Sequence, residues 1–347
     1  MSTKEKPAKP YPEFPLFPHA CGKWAKKVGG KLKYYGRWDD PDGALREYMG
    51  DGCLTVGGVC GQFTKTKCLA LKTGEICQTT FADYRRTCEW LQQHFGPDMP
   101  VAHLTPEAFT RYKSHLAQRR SLRSLGNEIS RVRVVFKWAY DACLLEKPLR
   151  FGPDFRKPTA RQLRRADGPV LKMFTAGQIH RLLEEAGVRL RAMMLLGVNC
   201  GYGPTDCCEL PRSALRDGWL VFPRPKTGVE RECPLWPETL EAFLSAMSPG
   251  ALPGSPALVQ WDGRPFTQQL ISKRFRAASR ACGVDGSFYW LRHTLETVGG
   301  DARDQVALNR MMGHVDGSMA AVYRERIDPQ RLVDVSEHVR RWLFGQE

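Results

Sequence analysis

From position 79 onward the apolar residues fall at helical intervals. Phe81, Tyr84, Cys88 and Leu91 are spaced i, i+3, i+7, i+10, one stripe of an amphipathic helix. Leu104-Thr105-Pro106-Glu107 is a helix entry, with Thr105 as cap and proline at the first helical position. Another helix is predicted over roughly 122–145, apolar at Val132, Val135, Phe136 and Tyr140. Residues 76–165 therefore read as a compact helical domain, closing in a basic, proline-containing connection over 150–168. The pattern restarts at Phe174, where Thr175 and Gln178 match a capping box, and a second apolar helix covers 192–198. Alternation then predicts two strands, 219–224 and 231–235, joined by Pro225-Lys226-Thr227-Gly228. Helices are expected at about 237–247, 267–282, 290–298, 304–312 and 330–344. The last carries Leu332, Val335, Val339 and Trp342 on one stripe.

Upstream the patterning is weaker. Residues 1–18 hold five prolines and read as a disordered or loosely docked tail. Segments 23–28 and 31–35 flank Gly29–Gly30, a dipeptide suited to a tight hairpin turn. Asp40-Pro41-Asp42 then starts a helix over 44–49. This gives a hairpin-plus-helix module over 19–50, rich in lysine: a minor DNA contact, or equally a basic edge that discourages strand aggregation. Glycine and threonine dominate 51–75, which reads as a linker. The fold class expected is mainly α with small β-sheets: a hairpin/helix module, a helical domain and an α+β domain over 170–347.

Charge sharpens this picture. The 347 residues carry a formal charge of +15, and 111–165 alone hold 15 Lys/Arg against 4 Asp/Glu, with Phe136, Trp138 and Tyr140 among them. A polyanion partner follows, nucleic acid before an acidic membrane face. Arg119, Arg120, Arg123, Arg131, Arg133 and Lys137 are the candidate DNA contacts. No stretch suits a signal peptide or a membrane span, so an intracellular protein is expected. Its twelve cysteines then read as reduced thiols. None pairs as CxxC, and Cys207–Cys208 lacks a matching second pair, so no metal is expected.

Three spots carry candidate chemistry. Lys226 sits at a hairpin tip, where exposed lysines are routine. Arg292, in Tyr289-Trp290-Leu291-Arg292-His293, could grip phosphate bidentately or form a structural ion pair. Tyr323 follows His314 by nine residues, within the stretch GHVDGSMAAVYRER. It could equally be a core phenol or a nucleophile.

In this order and spacing the three spots resemble the tyrosine recombinase (phage integrase) family. Lys226-Thr227-Gly228 through Pro234-Leu235 looks like its lysine hairpin, Leu291-Arg292-His293-Thr294 like its arginine motif, and Met312-Gly313-His314 like its LGH. Residues 76–165 resemble its helical, SAM-like core-binding domain, and 19–50, more loosely, an arm-site-binding module. The resemblance implies that Tyr323 attacks a DNA phosphodiester to form a 3′-phosphotyrosyl link. Arg292 and His314 would stabilise the phosphorane, and Lys226 would protonate the leaving 5′ oxygen. No cofactor is implied. The implied partner is double-stranded DNA at a core recombination site, with room for accessory DNA-bending factors. The implied assembly is a homo-tetramer docked through the C-terminal helix, and the implied location the cytoplasm and nucleoid of a bacterial cell.

Two positions depart from the family. In Gly201-Tyr202-Gly203-Pro204-Thr205-Asp206, Gly203 stands where the first catalytic arginine is expected, although Asp206 matches the acidic residue that follows. Tyr289 stands in a histidine slot, where its hydroxyl can still bind phosphate. A replacement arginine would come from Arg189, Arg191 or Arg212 if nearness in sequence decides; backbone amides of the glycine turn, or a partner, are the other candidates. The function expected is site-specific integration of a mobile element. The alternatives are a type IB-like topoisomerase or a catalytically impaired DNA-binding protein.

Overall fold

The computed structural model describes residues 6–11, 14–28, 31–50, 54–168, 171–247 and 254–345. The chain forms two compact units, Met1–Pro169 and Val170–Glu347.

The first unit opens with an antiparallel sheet of Phe17–His19, Lys23–Val28 and Lys31–Arg37 in that order, Trp24 pairing with Tyr35. The expected turn at Gly29–Gly30 lies outside the described residues. The helix Pro41–Gly50 packs on this sheet over a small core of Phe14, Leu16, Trp24, Tyr35 and Ala44. Gly36 makes that approach possible, because a Cβ there would lie 2.7 Å from the Ala44 Cβ. Burial of Phe14 and Leu16 corrects the expectation of a disordered or loosely docked tail for residues 14–18, where these two side chains enter the core.

The linker expected over 51–75 is also corrected. Val56–Lys72 is a helix, capped by Thr55, whose Oγ1 accepts from the Gly58 amide at 3.0 Å. Val56, Val59, Cys60 and Phe63 place one face of it in the core. Gln78–Phe95, Pro106–Ala117 and Leu122–Asp141 complete that core. The connection expected over 150–168 holds one more helix, Ala160–Asp167, which buries none of its side chains and exposes Arg161, Arg164 and Arg165.

In the second unit the helix Val188–Cys200 is buried on nearly every side and forms the axis of the core. A small antiparallel sheet of Leu215–Arg216, Trp219–Val221 and Glu232–Pro234 carries the lysine loop. Both predicted strands are present but shorter than expected. The C-terminal helix Pro329–Phe344 buries Leu332, Val335, Val339 and Leu343 in its own unit. Polar contacts fasten it there too: Trp236 Nε1 donates to the Ser336 carbonyl at 3.0 Å, and Arg340 grips Glu238 at 2.8 and 3.0 Å. Of the stripe read from the sequence, Leu332, Val335 and Val339 are thus buried against the chain's own core, and Trp342 is half-buried beside it. Among the described residues, no helix is long and apolar enough to cross a membrane.

Candidate active site

Three sequence-distant segments meet in the second unit: the turn after Val188–Cys200, the start of Trp290–Gly300, and the turn after Gln305–Met312. Arg292, in the first turn of its helix, is 4% exposed. Its Nη1 donates to the Gly201 carbonyl at 2.6 Å and its Nη2 to the Met312 carbonyl at 2.7 Å. Both segments end their helices with a glycine in the left-handed region, Gly201 at φ +68° and Gly313 at φ +63°. The turns that free those carbonyls thus also fix the guanidinium. Burial, and then the charge of Arg224, push the Arg292 pKa down, opposed by Tyr289 and Asp206.

His314 follows Gly313 directly, its amide held by the Asn309 carbonyl at 3.0 Å. Its Nδ1 lies 3.6 Å from Glu296 Oε2, a charge contact just beyond hydrogen-bond range. Burial and the Arg292 charge push the His314 pKa below the ordinary histidine value, with Glu296 pulling the other way. The structure thus favours a neutral imidazole.

The turn lacking the expected arginine is organised differently. The Gly203 amide donates to Asp206 Oδ2 at 2.6 Å, so it is not free to bind an anion. A Cβ at 203 would stand 3.5 and 3.6 Å from ring carbons of Tyr289. The two departures from the family pattern are therefore neighbours: the Tyr289 ring, 43% exposed, leans over the position without a side chain. Asp206 also pairs with Arg231 at 2.9 Å. Arg231 is fully buried, donates from Nε to the Phe222 carbonyl at 3.0 Å, and lies over the Tyr202 ring.

Lys226 is exposed in the loop between Trp219–Val221 and Glu232–Pro234. Tyr323 ends the short helix Met319–Val322 and is 76% exposed. The structure thus brings Arg292, His314 and Tyr289 together and leaves Lys226 and Tyr323 in solvent. Among the described residues no hydrogen bond ties the Tyr323 hydroxyl. An ion pair at 3.3 Å between Arg324 and Asp316 braces its segment. Of the arginines near in sequence, Arg189 and Arg191 have their guanidinium groups engaged elsewhere. Arg189 stacks 3.7 Å from the Trp261 ring centroid, Arg191 donates to the Leu183 carbonyl at 3.4 Å, and Arg212 begins a short turn whose amide meets the Ser255 carbonyl. Arg224, Arg231 and Glu296, which sequence reasoning passed over, are the charged groups that surround Arg292 and His314.

The candidate DNA contacts of the first unit separate into two kinds. Arg131 is bound to Asp83 and lies 3.6 Å from the buried Glu128, and Arg133 donates to the Phe155 carbonyl at 2.5 Å beneath Phe151. These two hold their own unit together. Arg120, half-buried, stacks 3.7 Å from the Trp90 ring centroid, while at the surface Arg123 pairs with Asp167 at 2.5 Å and Lys137 with Asp141 at 2.7 Å. Arg119 has no partner among the described residues.

Residues 171–328 match the model of the phage integrase family. No curated protein matches the chain. Among solved structures, a lambda integrase dimer bound to a COC′ core site is 18% identical with a TM-score of 0.59, over 79% of this chain and 99% of that one. A lambda integrase tetramer bound to a Holliday junction gives 18% and 0.59 over 92% and 100%. The Tn1549 transposon integrase with circular intermediate DNA gives 15% and 0.58 over 82% and 99%. These likenesses show the fold: a mainly helical protein with small antiparallel sheets, built like lambda integrase.

Proposed function

Because its second unit carries a phage integrase family domain, we propose that the protein is a tyrosine-type DNA recombinase, the site-specific integrase of a mobile element. The observation that carries this reading is the buried Arg292 guanidinium, fixed by two carbonyls beside His314. A cation so arranged suits a phosphorane, whose charge develops on oxygens that preorganised donors can meet without rearrangement.

In this reading the Tyr323 Oη attacks the phosphorus of a DNA phosphodiester, passing its proton to the water around this exposed side chain. The Oη–P bond forms, the P–O5′ bond breaks, and the departing 5′ oxygen takes a proton from Lys226. Arg292 and His314 bear on the non-bridging oxygens, with the Tyr289 hydroxyl beside them. The phosphotyrosyl bond preserves the energy of the broken link, so a 5′ hydroxyl from a partner strand can reverse the step. Exposure of Tyr323 and Lys226 suits residues that meet their substrate only when DNA is bound. The basic helical region 76–165 would then grip core-site DNA, with 19–50 as an accessory contact. Assembly on DNA as a tetramer accords with the lambda integrase tetramer on a Holliday junction.

A second reading, a DNA-binding protein that no longer cuts, is favoured by Gly203. Covalent trapping separates the two. Nicked duplexes from the DNA flanking the gene are incubated with the protein in EDTA and resolved under denaturing conditions. A wild-type adduct absent from Tyr323→Phe is expected. DNA that binds without forming an adduct would overturn the enzymatic reading. Relaxation of supercoiled DNA of any sequence would point to a topoisomerase instead.

A further inference from the structure

The geometry points to Arg224 as the second guanidinium of the phosphate site, standing in for the side chain that Gly203 lacks. This rests on the phosphoryl-transfer reading above. Arg292 Nη2 is held by the Met312 carbonyl, and Arg224 Nη1 lies 3.4 Å from the next carbonyl along, that of Gly313. Consecutive carbonyls of one turn thus hold two guanidinium groups side by side, and His314 is the residue that follows. Their proximity is felt electrostatically: the Arg224 charge depresses the pKa of both Arg292 and His314.

What distinguishes Arg224 is the absence of an anion. Arg231 has Asp206, Arg310 has Glu230 and Glu232, and Arg324 has Asp316. Among the described residues Arg224 has no carboxylate partner, and one long hydrogen bond leaves most of its five N–H donors unused. Two like charges held together without a counter-ion are unfavourable until an anion arrives, which is the condition expected of a ligand site. Arg231, though close, is fully buried, with Asp206 Oδ1 2.9 Å from its Nη2.

The backbone of Arg224 is preorganised. Its amide donates to the Val229 carbonyl at 2.7 Å, and its carbonyl accepts from Thr227 at 3.1 Å and Gly228 at 2.8 Å. The loop thereby directs Arg224 toward the Gly313 turn while Lys226 stays in solvent. Gly313 admits the approach, since a Cβ there would lie 3.1 Å from the Arg224 Cβ and 2.7 Å from the Arg231 Cγ.

The test uses the full chain, with Arg224→Ala and, as control, Arg189→Ala. Adduct formation by R224A on nicked duplex should fall by about 10²–10³-fold, the usual effect of removing one preorganised donor. Free guanidinium ion should restore part of it, while R189A should match wild type. A second measurement needs no chemistry: inorganic phosphate titrated into each protein and followed by phosphorus NMR. R224A should bind at least about tenfold more weakly at an unchanged unfolding temperature. Phosphate binding that depends on Arg224, in a wild-type protein that forms no adduct, would sustain this proposal and sink the strand-cleavage reading. An adduct formed by R224A at the wild-type rate, or phosphate bound equally by both proteins or by neither, would overturn the proposal itself.

Discussion

Asp206 holds two partners at once, the Arg231 guanidinium on one oxygen and the Gly203 amide on the other. Asp206→Ala leaves Arg231 charged and enclosed, and breaking such a pair costs about 3–5 kcal/mol. Denaturant unfolding should show that loss; a change below about 1 kcal/mol, typical of surface pairs, would mean that Arg231 finds another partner. His314 offers a pH prediction. Its folded pKa lies below the ordinary value, so between the two the unfolded chain holds the proton and the folded chain does not. Its contribution to stability is therefore full above about pH 6.5 and declines as pH falls toward the lowered pKa. His314→Gln should lessen the slope there, to which His94, His103 and His293 also contribute, and an unchanged slope would contradict the assignment. Lys226, Arg292, His314 and Tyr323 are legible in the sequence because their order and spacing make a pattern. Arg224 and Glu296 are not, because what matters is the turn each reaches across the fold. Arg231 did leave a signal: it alternates with the buried Cys233, so period two points it inward.

Among the elements, Pro329–Phe344 is the clearest case of a pattern that shows amphipathicity without showing what covers it. The stripe marks an apolar face, and only the structure assigns that face to the chain's own core. Leu332→Ala should destabilise the second unit by about 2–5 kcal/mol, and removal of 329–347 should unfold it. A folded second unit lacking this helix, judged by circular dichroism and thermal melting, would restore the view that the helix serves a neighbour. Val56–Lys72 was hidden for the opposite reason. Gly57, Gly58 and Gly61 lower its helix propensity, and burial of Val59, Cys60 and Phe63 outweighs them. The capped helices were easier to find, since Thr105 and Thr175 announce their starts in side-chain chemistry that the structure repeats at 3.3 and 3.2 Å.

At the scale of the whole molecule, charge is the dominant property. A surplus of +15, concentrated over 111–165, implies affinity dominated by phosphate contacts. Raising salt from about 50 to 200 mM should weaken DNA binding by about 10³-fold or more if six or more phosphates are engaged. Fluorescence anisotropy at several salt concentrations would show it, and a flat response would exclude the basic region as the DNA face. Arg161→Ala and Arg164→Ala should each reduce the slope, because these side chains project from a helix that buries nothing, whereas Arg133→Ala should act mainly on stability.

Tyr323 is the proposed nucleophile, and the site contains a rival phenol in Tyr289, partly exposed and beside Arg292. The direct measurement is mass spectrometry of the trapped adduct after nuclease and protease digestion. A nucleotide linked through its 3′ phosphate to the peptide containing Tyr323 is the expected result. The same mass on the peptide containing Tyr289, or on no tyrosine at all, would contradict the account.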